Sequence, residues 1–341
     1  MLPSYSQIVY PFPAPIPIPY GNLPSGNSVR QNITGIRYLC IGCTEGIGLQ
    51  TALKYKAAGA YVIITGPKSK GKYDADLLNQ FDNFMKVEYG QHNSVKRFLD
   101  DYYDEYGTRP DAVGDFGLRY SQGSTRHFVP YMEWLLKMYI TDKAEMYYGL
   151  MNNNAQSTNK TMNLTIAGST AGIIGNQFLE VYAIGKTFWE RWVENFPTYE
   201  GRGIYPLVKV SIVMCSYAKT KIVVNSFNPS SDLGEDIHVD FNNTIVATNA
   251  AIGNDPAFIA SAHYELGTTI DRATNSSMYI VPTSIPAGRG SSDFLYAIRV
   301  RDDSVAFTQH MDFGYLQAGL NLSKYIERRA TERTQGLILS L

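Results

Sequence analysis

The residues of this chain best placed to do chemistry are Tyr182 and Lys186, in the stretch "VYAIGK". Four positions apart on a predicted helix, they share one face. A lysine ammonium beside a phenol favours the phenolate and lowers a pKa that is about 10 when unperturbed. The phenol then gives or takes a proton near neutral pH. Ser169, at the end of the predicted strand "MNLTIAGST", can put a hydroxyl beside the same substrate oxygen. Tyr and Lys are both common in helices, so the pair alone specifies little.

A second motif supplies context. "IGCTEGIG", Ile41 to Gly48, lies between an apolar run and a helical stretch. A tight turn that follows a strand and feeds a helix lets backbone N–H groups face a pyrophosphate at the helix's positive end. Gly42, Gly46 and Gly48 would permit the turn, the close approach and the helix packing. The spacing differs from the common G-x-G-x-x-G, and a generic glycine-rich turn is the competing reading of this motif taken alone. The order along the chain is more specific than either motif: glycine turn, serine at a strand end, then Tyr-x-x-x-Lys.

The elements that must position these residues begin at Ile36. "IRYLCIG" and "YVIITG" read as buried strands, with "GLQTALKYKAAGA" as the helix between them. Next come a helical stretch from about Asp74, a weaker strand near "FMKVEYG", the helix "SVKRFLDDYYDEYG" and the strand-turn "DAVGDFG". "YMEWLLKMYITDKAEMYYGLM" predicts one long helix, "VYAIGKTFWERWVENF" another, and "VKVSIVMCS" a further strand. "DPAFIASAHYELGTTID" reads as helix and "SMYIVPTS" as strand, while the chain from "SSDFLYAIRVRDDS" to its C-terminus resists assignment. Alternating strands and helices predict a doubly wound, Rossmann-like parallel sheet. The expected organisation is a Pro-rich extended arm over 1–34, a Rossmann-like domain over 35–285 and a C-terminal extension over 286–341. Proline recurs at every second position from Pro11 to Pro19, which favours polyproline II. That arm is either a lash onto a partner subunit or a flexible tail.

Over roughly Ile36 to Ile222 the chain resembles the short-chain dehydrogenase/reductase family. "GCTEGIG" matches the family's T-G-x-x-x-G-I-G loop from its first glycine, with Ile41 where Thr is usual. "AGSTAGIIGNQFLEVYAIGK" is similar to the family's strand-to-helix segment, and "VKVSIVMCSYAKT" to the strand ending in P-G-x-x-x-T, with Cys215 and Ser216 replacing Pro-Gly. The resemblance implies catalytic roles for three residues. Tyr182 would be the proton donor or acceptor, Ser169 would hydrogen-bond the substrate oxygen, and Lys186 would hold the ribose hydroxyls. It implies cofactor-binding positions at Gly42, Thr44, Gly46, Ile47, Gly48, Gly117 and Thr220. Hydride would pass between the nicotinamide and a carbonyl or alcohol. "GDFG" stands where the family has N-N-A-G, so Gly117 is kept while Asp115 and Phe116 replace Asn and Ala. The family's Asn on the long helix is not evident in "KMYITDKAEM", where Thr141 or Asp142 falls nearby.

The end of the second strand, "IITGPKSK", carries no acid to bind a ribose 2′-hydroxyl, while Lys68 and Lys70 could attract a 2′-phosphate. That favours NADP, with NAD possible, against the alternative of a solvated lysine loop. The composition is that of an ordinary globular protein: 341 residues, 44% hydrophobic, 18% charged, formal net charge −1. No basic stripe marks a nucleic-acid partner, and no apolar run is long enough to span a membrane. The N-terminal segment lacks the pattern of a secretory signal, so an intracellular, cytoplasmic protein is expected, with an organelle left open. Asn-X-Ser/Thr matches at Asn32, Asn163 and Asn321 then read as chance. Cys40 and Cys43 read as small residues in a strand and a turn, with no second cysteine pair to complete a zinc site. His92, His127, His238, His263 and His310 are scattered without ligand spacing, so no metal is expected.

Two functions stay in view. One is an NAD(P)-dependent oxidoreductase acting on a small carbonyl or alcohol, as a homo-oligomer or a subunit of a larger complex. The other is a dehydrogenase fold with a weakened site, serving as a structural subunit of an assembly.

Overall fold

Alternation along the second strand divides the protein into two layers. Leu39 and Ile41 point to one face of the sheet, Tyr38 and Cys40 to the other, and all four are buried. A strand covered on both faces needs helices on both sides, and the chain supplies them. The computed structural model describes residues 28–30, 32–117, 132–133, 135–151, 161–169, 172, 180–196, 204–205, 207–215, 218, 256–271, 276–281 and 298–302.

In chain order the elements are β1 (Ser28–Arg30), β2 (Arg37–Ile41), α1 (Gly46–Ala57), β3 (Tyr61–Gly66), α2 (Ala75–Leu78), β4 (Asn83–Lys86), α3 (Ser94–Tyr106) and β5 (Ala112–Asp115). A π-helical segment Leu135–Asp142 leads into α4 (Lys143–Met151) and β6 (Met162–Ser169). Then come α5 (Glu180–Asn195), β7 (Val208–Cys215), α6 (Pro256–Thr268), β8 (Thr269–Asp271), β9 (Ser276–Val281) and β10 (Ile298–Asp302). The main sheet has the order β10-β9-β7-β6-β5-β2-β3-β4. Neighbours from β4 to β9 are parallel, and only β10 runs antiparallel at the edge. This is the doubly wound, Rossmann-like α/β architecture. The strand order reverses between β2 and β5, which opens a crevice at their C-terminal ends.

One face of the sheet is covered by α3, the π-helical segment, α4 and α5, with Phe98, Tyr102, Met146, Tyr147 and Trp189 against Leu39, Ile166 and Ile212. The other is covered by α1 and α6, which pack on each other and bury Tyr38, Tyr55 and Ile64. Tyr38 and Tyr55 stack at 3.6 Å between centroids. The two faces hold the core.

Three features depart from the sequence reading. The helix expected from about Asp74 is a single turn, started by Asp74 accepting a bond from the Asp76 N–H. The long helix expected before β6 is broken into a π-helical and an α-helical part. Trp189 Nε1 donates to the Tyr139 carbonyl at 2.9 Å, and Thr141 Oγ1 to the Leu136 carbonyl, so side chains compete for the helix ladder there. Cys40 and Cys43 are joined by a disulfide rather than standing apart. The turn at Gly42, with φ of 72°, brings their Cα atoms to 5.6 Å, a span a disulfide can bridge.

The stretch that resisted assignment contributes β10, and residues 28–30 pair with β8. The proline repeat, Thr220 and the segment after it lie outside the described residues. No helix among the described residues is long and apolar enough to cross a membrane.

Candidate active site

The glycine turn is built by close backbone approach. A Cβ on Gly42 would meet the Cα and N of Gly117 at 2.7 Å, so the loops leaving β2 and β5 touch directly. The Gly42 N–H donates to Thr65 Oγ1 and the Cys43 N–H to the Thr65 carbonyl, both at 3.1 Å, which ties the turn to β3. Gly46 opens α1 with φ of 61°. A Cβ on Gly48 would lie 2.9 Å from Cys43 Sγ and 3.0 Å from the Gly42 carbonyl. Glu45, at the N-cap, makes no side-chain cap. The first N–H groups of α1 therefore keep their capacity for an anion, at the positive end of the helix.

Thr44 sits against Gly66 at the end of β3. Ile47 packs with the Val213, Ile259 and Leu266 cluster, so its side chain anchors α1 to β7 and α6. Phe116, bulky at a position where the family has Ala, turns its ring into the α1/α6 layer. It lies 4.5 Å from the ring of His263 and close to Gly114, and leaves backbone at the crevice.

At the end of β3, Lys68 and Lys70 are exposed. Gly66 to Lys72 contains no acid. Tyr73, not singled out from the sequence, closes against Gly66 and accepts a hydrogen bond from the Lys68 N–H at 3.1 Å.

Tyr182 and Lys186 come together as their spacing predicts. The Lys186 ammonium lies 5.3 Å from the centroid of the Tyr182 ring. It donates to the Ala167 carbonyl at 2.5 Å, two residues before the end of β6. Ser169 ends that strand, nearly buried and in register with Cys215 of β7. Both motifs thus lie at the C-terminal edge of the same parallel sheet. Burial, and next the charge of Lys143, bring Lys186 down from its ordinary value to about 8. Burial raises the Cys215 thiol, opposed by Lys186.

A group that the sequence reading missed lies beside this pair. Asp115 Oδ2 accepts from Lys143 Nζ at 2.8 Å, Tyr147 Oη at 2.5 Å and Tyr89 Oη at 3.2 Å, while Oδ1 accepts from the Gly117 N–H at 2.7 Å. The Lys143 and Asp115 side chains are essentially inaccessible, at 3% and 0%. Asp142 accepts from the Gly90 N–H at 2.5 Å. One signal could have found the ion pair: Lys143 sits at helical spacing between Tyr139 and Tyr147, and Asp115 ends an apolar strand. Opposite charges in two buried stretches have to meet.

His263 is buried with both ring nitrogens unpartnered, and burial, with a contribution from Lys186, lowers it to about 3. Among the described residues no cluster of His, Cys, Asp or Glu could hold a metal ion.

No protein-family model matches the sequence, and no curated protein matches it either. Solved structures are similar in fold. A 3-oxoacyl-(acyl-carrier-protein) reductase from Agrobacterium tumefaciens with NADP bound superposes with a TM-score of 0.58 at 13% identity, covering 74% of this chain and 94% of that one. L-sorbose reductase from Gluconobacter frateurii, complexed with NADPH and L-sorbose, gives 0.60 at 12% identity, over 78% and 99%. The ligand-free aldohexose dehydrogenase of Thermoplasma acidophilum gives 0.57 at 15%, over 74% and 95%. The fold is that of the short-chain dehydrogenase/reductases.

Proposed function

We propose that this chain is an oxidoreductase of the short-chain dehydrogenase kind, using NADP in preference to NAD to interconvert a carbonyl and an alcohol. One observation carries the reading: the Lys186 ammonium over the Tyr182 ring stands on the same sheet edge as the uncapped start of α1. The cradle fits a dinucleotide. Gly42 and Gly117 leave no side chain between the two loops, and Gly48 has no room for one. Phe116 is turned out of the way. The N–H groups of Gly46, Ile47 and Gly48 would hold the pyrophosphate, with Thr44 beside them. Lys68 and Lys70, in a segment without an acid, would meet a 2′-phosphate. NADP and NADPH in structurally similar reductases agree with that choice.

When bound, the nicotinamide supplies or accepts the hydride. The side chains handle the proton. Tyr182 gives its phenolic proton to the carbonyl oxygen in reduction, or takes the alcohol proton in oxidation. Ser169 donates a hydrogen bond to that oxygen and orients it. Lys186 keeps positive charge against the phenol and would bond the ribose hydroxyls.

Leu136, Ile184 and Phe188 expose apolar surface on the π-helical segment and α5. That face would pair two copies of the chain, or seat one copy in a larger assembly. The second reading, a structural subunit, shares this surface but needs no turnover.

Titration with NADPH and NADH, followed by nucleotide fluorescence, tests the proposal on the wild type and on Tyr182→Phe. NADPH should bind the more tightly, and Tyr182→Phe should bind it but lose all reduction of a panel of small ketones and aldehydes. Absence of binding by both nucleotides overturns the proposal. Binding without turnover by the wild type favours the structural subunit.

A further inference from the structure

Lys186 does not face Tyr182 alone. Its ammonium also lies over the ring of Tyr139, 5.5 Å from the centroid, and the ammonium of Lys143 lies over the same ring at 5.0 Å. Two buried cations thus share one aromatic surface and stand within about 10 Å of each other. Like charges at that range repel appreciably in a poorly hydrated interior. Lys143 cannot move off, because Asp115 holds it, and Asp115 is itself fixed by Tyr147, Tyr89 and the Gly117 N–H. Burial pushes the Lys143 ammonium down from its ordinary value, and Asp115, its ion-pair partner at 2.8 Å, opposes that shift.

We infer that Lys143 is a positioning residue for the proton chemistry of Tyr182: anchored by Asp115, its charge bears on Lys186 across the shared ring of Tyr139. The inference rests on the catalytic reading above and adds a residue to it. A dipole results, with its negative end under Gly117 and its positive end toward Lys186. The groups around Lys186 come from every packed element. They are Tyr182 and Glu190 on α5, Tyr139 on the π-helical segment, Lys143 on α4, Asp115 on β5, Cys215 on β7 and His263 on α6. Among these Lys143 exerts the largest charge effect on Lys186, against the opposing pull of Cys215, Glu190 and Asp115. Lys143 thereby weakens the hold of Lys186 on its proton, and at about 8 the ammonium is still mostly charged against the phenol at neutral pH.

The test is a direct titration of Lys186 by NMR of the full chain carrying ¹³Cε/¹⁵Nζ-labelled lysine, with Lys186→Met for assignment. The variants are Lys143→Gln, Lys143→Gln with Asp115→Asn, and Lys143→Arg. Lys143→Gln should move the Lys186 midpoint upward by roughly 1 pH unit, as Coulomb's law gives for charges about 10 Å apart at an effective dielectric of about 20, and the double variant by roughly half as much, since the opposing charge of Asp115 leaves with the cation. Lys143→Arg, which keeps the charge, should hold the wild-type midpoint. Either uncharged variant decides the matter, so failure of one to fold leaves the other. An unmoved midpoint in a folded uncharged variant overturns the inference. NADPH titration of the same samples separates the two claims: lost nucleotide binding in the wild type strikes the catalytic reading, while the lysine midpoints judge the coupling on their own.

Discussion

His263 makes the fold acid-sensitive by an amount that can be worked out. Its ring is buried on α6 against Phe116, and neither nitrogen has a partner. The charged form is penalised first by burial and then by Lys186, which lowers the folded value to about 3 from 6.5. The unfolded chain therefore binds a proton between these values that the folded chain refuses. Stability is fully present above about pH 6.5 and falls as the pH drops toward about 3. At about pH 5 the loss from this one group is about 2 kcal/mol relative to pH 7.5. His263→Leu removes the titrating group together with two desolvated nitrogens, at nearly constant volume. At neutral pH the variant should be at least as stable as the wild type. Urea unfolding of both proteins at about pH 7.5 and about pH 5 gives the comparison, and the wild type should lose about 2 kcal/mol more than the variant. Carboxylates lose their bonds in both proteins and cancel in the difference. Equal losses would mean that the ring is solvated or bonded, and the packing of α6 against β5 would have to be redrawn.

The crevice and its disulfide give three further expected outcomes. Gly42→Ala combines a left-handed φ, costing a methyl-bearing residue about 1–2 kcal/mol, with a Cβ pressed onto Gly117; NADPH binding by fluorescence should be lost while circular dichroism stays folded, and unchanged binding would refute the cradle. Lys68→Glu with Lys70→Glu should weaken NADPH at least about tenfold and leave NADH nearly unaltered, since each charge near a phosphate contributes on the order of 1 kcal/mol; equal losses for both nucleotides would remove the case for a 2′-phosphate. Reduction of the Cys40–Cys43 disulfide opens a short loop worth about 2 kcal/mol in chain entropy, so the thermal midpoint should fall under reductant in the wild type and stay put in Cys40→Ser with Cys43→Ser.

Legibility in the sequence divides along physical lines. The buried strands were legible because continuous apolar runs such as "YVIITG" have few alternatives to a doubly covered sheet. The meeting of Tyr182 and Lys186 was legible because helical spacing is local. The break between Asp142 and Lys143 was not, since it depends on Trp189 reaching the Tyr139 carbonyl from fifty residues away. The direction of Phe116 was equally hidden: a large side chain at that position could enter the crevice or leave it. Its place beside Gly114 and against the His263 ring decides for the latter. The disulfide depended on a backbone angle at Gly42 that no pattern of residue types specifies.

The distribution of buried charge bears on whether the site is used. Lys56–Asp82 and Lys96–Asp100 lie at the surface, where an ion pair contributes little and harms nothing. Lys143, Asp115, Lys186 and His263 are instead buried at the C-terminal edge of β5 and β6, around the crevice. A buried ion pair is often no more stabilising than apolar residues of similar size, and an ammonium lowered to about 8 stores unfavourable free energy at neutral pH. A domain that served only as scaffold would gain from leucine or methionine at these positions. Arg109 and Lys209 are buried at the opposite edge, so buried charge alone is not what marks the crevice; the mark is an ion pair, a depressed ammonium and an unpartnered imidazole gathered around the candidate site. On that ground the enzyme reading stands ahead of the structural one. Lys186→Met sharpens the choice: it should raise stability near neutral pH, and abolish the gain in stability that the wild type shows as pH rises from about 8 toward 10, where the unfolded chain still holds the proton that folded Lys186 has released. A variant no more stable than wild type would mean that Lys186 costs the fold nothing, and its burial would no longer favour an enzyme over a scaffold.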